Sequence, residues 1–154
     1  MNMYQRESIL QYWHSKLNKK LFNNELEVAK IIVRNDEEAV KNAEEGIEAR
    51  YIDWYGRDYI VFYPYTWMAE EPETDNETIE VPVSVYDVTV LLHEMVHQYC
   101  NQNGIDDIDL NGKHNENFRE AAEKHGLTQY GYQLQAGLED EIDAELTWFR
   151  EWGY

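Results

Sequence analysis

The sequence predicts an α+β fold, on three observations. Apolar residues recur at three- and four-residue spacings in several separate segments, the mark of amphipathic helices. Between the first such segment and the central one lie short runs rich in Val, Ile and aromatic residues, the mark of strands. The chain has 154 residues, 43% of them hydrophobic and 14% aromatic, enough apolar bulk for one domain with a real core.

The elements follow in order. Residues 7–21 read as a helix, because Leu10, Trp13, Leu17 and Leu21 form one apolar stripe. Residues 26–33, rich in Val and Ile, read as a strand. Residues 36–48 suit a short polar helix ended near Gly46. Residues 50–55 and 59–63 read as two strands, with Gly56, Arg57 and Asp58 as the turn of a hairpin. Residues 70–80 carry Glu-Glu-Pro-Glu-Thr-Asp-Asn-Glu and read as a solvated loop. The strongest helix follows: Ser84 is a good N-cap, Asp87 completes a capping-box-like pair, and Val88, Leu91, Leu92, Met95, Val96 and Tyr99 give a wide apolar face. That helix should be central and buried, ending between Asn101 and Gly104. Residues 105–113 read as a polar loop, and 115–125 as a short helix stopped by Gly126. Leu138, Ile142, Leu146 and Phe149 mark a last amphipathic helix, to which Trp148 and Trp152 add apolar bulk.

Charge and cysteine narrow the function. With 13 Lys plus Arg against 31 Asp plus Glu, the net charge is −18. Phosphates would be repelled unless a local basic patch exists, so nucleic acid is a doubtful partner. The acid falls mainly in residues 36–48, 70–80 and 139–151. A single cysteine excludes a disulfide framework and a four-cysteine zinc ribbon. No apolar run approaches the ~20 residues of a membrane span, and the first residues lead into an amphipathic segment rather than a signal-peptide core. The expectation is a soluble cytoplasmic protein that does not engage a membrane.

The chemistry is concentrated in His93-Glu94-Met95-Val96-His97. On a helix His93 and His97 sit about 40° apart on one side, and Leu91, Leu92, Met95 and Tyr99 take the other. Two imidazoles one turn apart can bind one Zn²⁺. Glu94 projects about 100° from His93, beside the metal without ligating it, where a general base for a metal-activated water belongs. The bland reading is a structural pair of core histidines, but burying two imidazoles and a carboxylate without partners is costly. A catalytic zinc needs a third protein ligand. His114 stands at the start of the next helix. Glu116, Glu120 and Glu123 lie on that helix, and His125 ends it. Cys100 reads as a small buried hydrophobe. Candidate oxyanion donors are Tyr130, Tyr132 and Arg119, and Asp87, Asp106, Asp107 and Asp109 are available to orient the ligating imidazoles.

These residues resemble the SprT-like zinc metallopeptidase family, which includes the Spartan and Wss1-type proteases. The resemblance rests on the metal helix with Leu91-Leu92 before it, on Gly112-Lys113-His114-Asn115-Glu116-Asn117-Phe118 after it, and on Leu17-Asn18-Lys19-Lys20-Leu21-Phe22 followed by Leu26. It covers roughly residues 5–126. It implies a small zincin-like domain whose central metal helix packs on a short antiparallel or mixed sheet. It further implies His93, His97 and His114 as Zn²⁺ ligands, Glu94 as catalytic base, and a protein or peptide as substrate. On this reading residues 1–154 are a single metallopeptidase domain, and 129–154 are an acidic C-terminal helical extension. One cysteine excludes the zinc ribbon that many relatives carry, and the acidity argues against their DNA-stimulated activity.

Two readings compete with a zinc-dependent peptidase. One is a catalytically silent metal-binding regulatory protein whose acidic surface docks a basic partner. The other is an acidic decoy of nucleic acid. An intact Glu94 favours the enzyme, since a binding module has no use for it.

Overall fold

A computed structural model describes residues 3–63, 83–148 and 150–151. Within it the chain is a small α+β domain with five helices and two small sheets. The expected acidic loop at 70–80, together with Phe149 and Trp152, lies outside the described residues.

Helix α1 (Met3–Leu21) precedes strand β1 (Lys30–Val33), helix α2 (Glu37–Glu44) and the hairpin of β2 (Ala49–Trp54) and β3 (Arg57–Phe62). The strands form one mixed sheet in the order β1-β3-β2, with β1 parallel and β2 antiparallel to the central β3. Alternation along β3 builds two layers on it. Ile60 and Phe62 join the main core with Leu10, Trp13 and Leu17 of α1 and Leu91, Leu92, Met95 and Val96 of the central helix. Val61 points the other way, to Ala39 and Ala43 of α2.

Strand β1 is shorter than the run 26–33 that its composition predicts, because side chains take the place of a ladder over its first half. Asn18 bonds both backbone groups of Leu26, Gln102 accepts from the Glu27 N–H, and Gln98 donates to the Glu27 carbonyl. The hairpin turn also differs from the expected 56–58. It is the two residues Tyr55 and Gly56, both at positive φ (50° and 80°), which suits the twist of the flanking strands. The Asp53 carboxylate accepts from the Gly56 N–H and holds the turn.

Helix α3 (Val85–Gln102) carries His93, Glu94 and His97 and is capped as expected: the Asp87 N–H donates to Ser84 Oγ, and the Ser84 N–H to the Asp87 carboxylate. The buried Arg6 of α1 donates to the same carboxylate at 3.3 Å. Helix α4 (Glu116–Lys124) starts at an Asn115 cap that accepts from the Phe118 N–H. A two-stranded hairpin follows, β4 (Leu127–Thr128) and β5 (Gln133–Leu134), with a 3-10 turn (Gln129–Gly131) between its strands. Only from Ala136 is the C-terminal stretch α-helical, as α5 (Ala136–Trp148). Leu138, Ile142 and Leu146 bury its inner face, and Lys16 and Lys20 of α1 pair with Glu145 and Glu141. Trp148 adds little to the core, being 55% exposed. Among the described residues no helix is long and apolar enough to cross a membrane.

Candidate metal centre

Two parts of the chain bring three imidazoles together. His93 and His97 share one side of α3, and His114 arrives from the segment leading into α4. That segment is tied down by hydrogen bonds. The Asp109 N–H donates to the Lys113 carbonyl at 2.7 Å, the Asn115 N–H to the Asp107 carbonyl at 3.1 Å, and Ile108 forms a β-bridge with His114. Ring centroids lie 5.2 Å apart for His93 and His97, and 4.9 Å from each of them to His114. One ring nitrogen from each of the three falls within 4.8 Å of the others, so the group could hold a metal ion.

The donor set fits a metal on chemistry as well as distance. His93 Nδ1 donates to the Gly131 carbonyl at 2.8 Å, and His97 Nδ1 to the Asp107 carboxylate at 2.7 Å. His114 Nδ1 lies 3.4 Å from the Tyr132 hydroxyl. With the Nδ1 of His93 and of His97 donating to these acceptors, the Nε2 of each is left for an ion, the arrangement that orients metal-binding histidines and raises their basicity. Burial pushes His93 down to about 4 and lowers His97 and His114 as well, so all three are neutral near pH 7 and ready to donate a lone pair. Phe118, fully buried, backs the cluster with its ring stacked on His97 at 4.4 Å and on His114 at 4.2 Å.

Glu94 sits one residue along the helix, beside His93 on the same cleft, with one carboxylate oxygen facing the sheet. Its Oε2 accepts the Tyr51 N–H of edge strand β2 at 2.8 Å. It is buried, and desolvation pushes its carboxyl up to about 8, with the Tyr51 N–H pulling the other way. The Tyr51 phenol bonds Asp58 and accepts from Asn101 at 3.0 Å, so one residue ties β2 to both β3 and α3.

The other ligand candidates are not in the cluster. Glu116, Glu120 and Glu123 are exposed, and Glu116 pairs with Arg119. His125 donates to the Ala121 carbonyl and stacks on Phe22 at 4.3 Å. Cys100 is buried with its thiol pushed up to about 12. Of the four aspartates, Asp107 reaches an imidazole, whereas Asp87 caps α3 and Asp109 closes the turn at 111–113. Tyr132 stacks on His93 at 5.1 Å and stands at the site. Tyr130 is exposed and lies under Arg119. The Gly131 carbonyl and the Tyr51 N–H escape sequence reasoning because both are backbone groups. A cleft of about 270 Å³ opens beside His93 and Glu94, between the start of β2 and the first turns of α3. No protein-family model, curated protein or solved structure matches the chain.

Proposed function

We propose that this chain is a zinc-dependent metallopeptidase of the SprT-like kind, with His93, His97 and His114 holding Zn²⁺ and Glu94 as general base. The observation that carries this reading is the pairing of three neutral imidazoles, converged within 4.8 Å, with a buried carboxyl one residue from the first of them. A site that only bound metal would have no reason to bury that carboxyl at the cost of its charge. A bound Zn²⁺ would supply Lewis acidity, which makes a water acidic near neutral pH and polarises a peptide carbonyl. Glu94 takes the proton of the attacking water and passes it to the leaving amine nitrogen. Tyr51 holds the carboxylate in place from β2. An extended peptide would add to the outer edge of that strand, where main-chain bonds supply register and affinity.

The test is Glu94→Gln in protein loaded with zinc. Zinc content should stay at one per chain, while cleavage of an unfolded protein substrate falls by at least about 100-fold, the scale of a general base. Zinc binding with equal cleavage in both proteins removes Glu94 from the mechanism. Zinc binding with no cleavage in either leaves a metal-binding interaction protein.

A further inference from the structure

The geometry points to a cation-selecting pocket beside the metal centre, built on Glu48, that takes the side chain of a lysine or arginine flanking the bond to be cut; this rests on the peptidase reading and names its substrate class. The pocket is the cleft that opens on His93 and Glu94. Its walls are apolar where Ile47, Ala49 and Val90 line it. Its polar groups are one-sided. The Tyr86 hydroxyl donates to the Glu48 carboxylate, and the Thr89 hydroxyl donates back to the Val85 carbonyl at 2.8 Å. The backbone N–H groups of Gly46 and Ile47 bond the carbonyls of Ala43 and Asn42 at 3.0 Å. The donors at this end are thus committed to the protein, and the Glu48 carboxylate remains as charged acceptor. No lysine or arginine is among the described residues that line the cleft.

A pocket with apolar walls, spent donors and one carboxylate complements one kind of side chain. Lysine and arginine lay an aliphatic stem on apolar surface and present only donors at the tip. A glutamate entering the same space would face Glu48 with no compensating donor. A leucine would gain the walls but not the carboxylate. Glu48 is held for this role by its backbone, since its carbonyl accepts the Tyr63 N–H at 2.8 Å at the mouth of the hairpin.

The experiment uses an uncharged host peptide with one variable residue, Lys, Leu or Glu, and two readouts. Wild-type zinc protein is assayed for kcat/KM, with the cut position mapped by mass spectrometry. Zinc-loaded Glu94→Gln protein is assayed for binding of the same labelled peptides by fluorescence anisotropy. The expected result is about fivefold tighter binding of the Lys peptide than the Leu peptide, the upper range for a solvent-accessible charge pair, with the Glu peptide weakest. Cleavage should fall next to the lysine. Glu48→Gln should bring the Lys-to-Leu ratio to about one, and Glu48→Lys should turn the preference toward Glu, each with zinc content and melting temperature recorded. Leu binding as well as Lys, or a folded Glu48→Gln protein that keeps the Lys preference, overturns the pocket. Binding that ranks Lys first without any cleavage by wild type keeps the pocket and removes the peptidase reading.

Discussion

Glu94 and His93 are adjacent groups that burial shifts in opposite directions, and the metal-free protein should register both. Glu94 rises to about 8 from an ordinary 4.5, so the folded state holds an extra proton across that window and stability falls as pH rises through it. His93 drops to about 4 from an ordinary 6.5, so the unfolded state holds the extra proton and stability climbs with pH through that range. The two slopes offset where the windows overlap. His97 and His114, also lowered, add to the climb. Metal-free protein should therefore be most stable near pH 6.5 and lose roughly 1.4 kcal/mol per pH unit toward pH 8, Glu94 acting alone there. Urea titrations of metal-stripped protein measure this, and Glu94→Gln should abolish the decline above pH 6.5. An equal decline in the variant would place the responsible group elsewhere. Asp107 makes a separate prediction. Its carboxylate fixes the His97 ring through Nδ1, so Asp107→Asn should weaken zinc binding by about 10- to 100-fold in a chelator competition.

At the scale of elements, the hairpin at 127–134 completes the site, and Gly131 is where it does so. Its carbonyl orients His93, its φ is +93°, and a Cβ there would lie 2.8 Å from Phe118 Cε2 and 3.4 Å from His93 Nδ1. Gly131→Ala should cost about 2 kcal/mol through strain and displacement of the Phe118 ring, and should weaken zinc binding with it. Gly104 is the control. It closes α3 at φ +65° with open space around it, so Gly104→Ala should cost about 1 kcal/mol and leave zinc affinity unchanged. Equal losses of zinc affinity in the two variants would mean the effect is global stability rather than the hairpin. The same hairpin marks where sequence reading stops. Helix α3 was legible because its signals are local: a Ser84–Asp87 box, an apolar face and two histidines one turn apart. His114 was legible as one of several candidates from its place ahead of α4, and the family resemblance of residues 112–118 singled it out. The hairpin has no such signature. Gln129 and Tyr130 take positive φ without being glycine, and the strands are two residues each. Asp107 was one of four equivalent aspartates until the turn at 109–113 placed it beside His97. Leu26 to Ala29 read as strand because their composition is strand-like, while their hydrogen bonds go to Asn18, Gln98, Gln102 and Gln11.

The whole molecule carries a charge of −18, and two of its three acidic segments are now placed. One forms α2 and the turn after it, with α2 on the sheet face away from the main core and Glu48, at the segment's end, lining the cleft; the other forms α5, packed along α1. Neither lies in the imidazole cluster, and apart from Glu48 in the cleft their acidity acts at a distance, as a field around it. Such a field gathers cationic chains and speeds their encounter, and it fades as the Debye length shrinks from about 30 Å at 0.01 M salt to about 8 Å at 0.15 M. A long-range field and a single carboxylate in the cleft therefore predict different salt responses. An unfolded polybasic chain should lose at least about tenfold in association rate with zinc-loaded Glu94→Gln protein between 0.01 M and 0.15 M salt. The uncharged host peptide with one lysine should change much less, because one charge samples little of the field while it still meets Glu48 at contact. Double-stranded DNA should compete for neither. Stopped-flow anisotropy on the two ligands separates the terms. A polybasic chain as indifferent to salt as the single-lysine peptide would mean that the surface charge serves solubility alone, with recognition confined to the cleft.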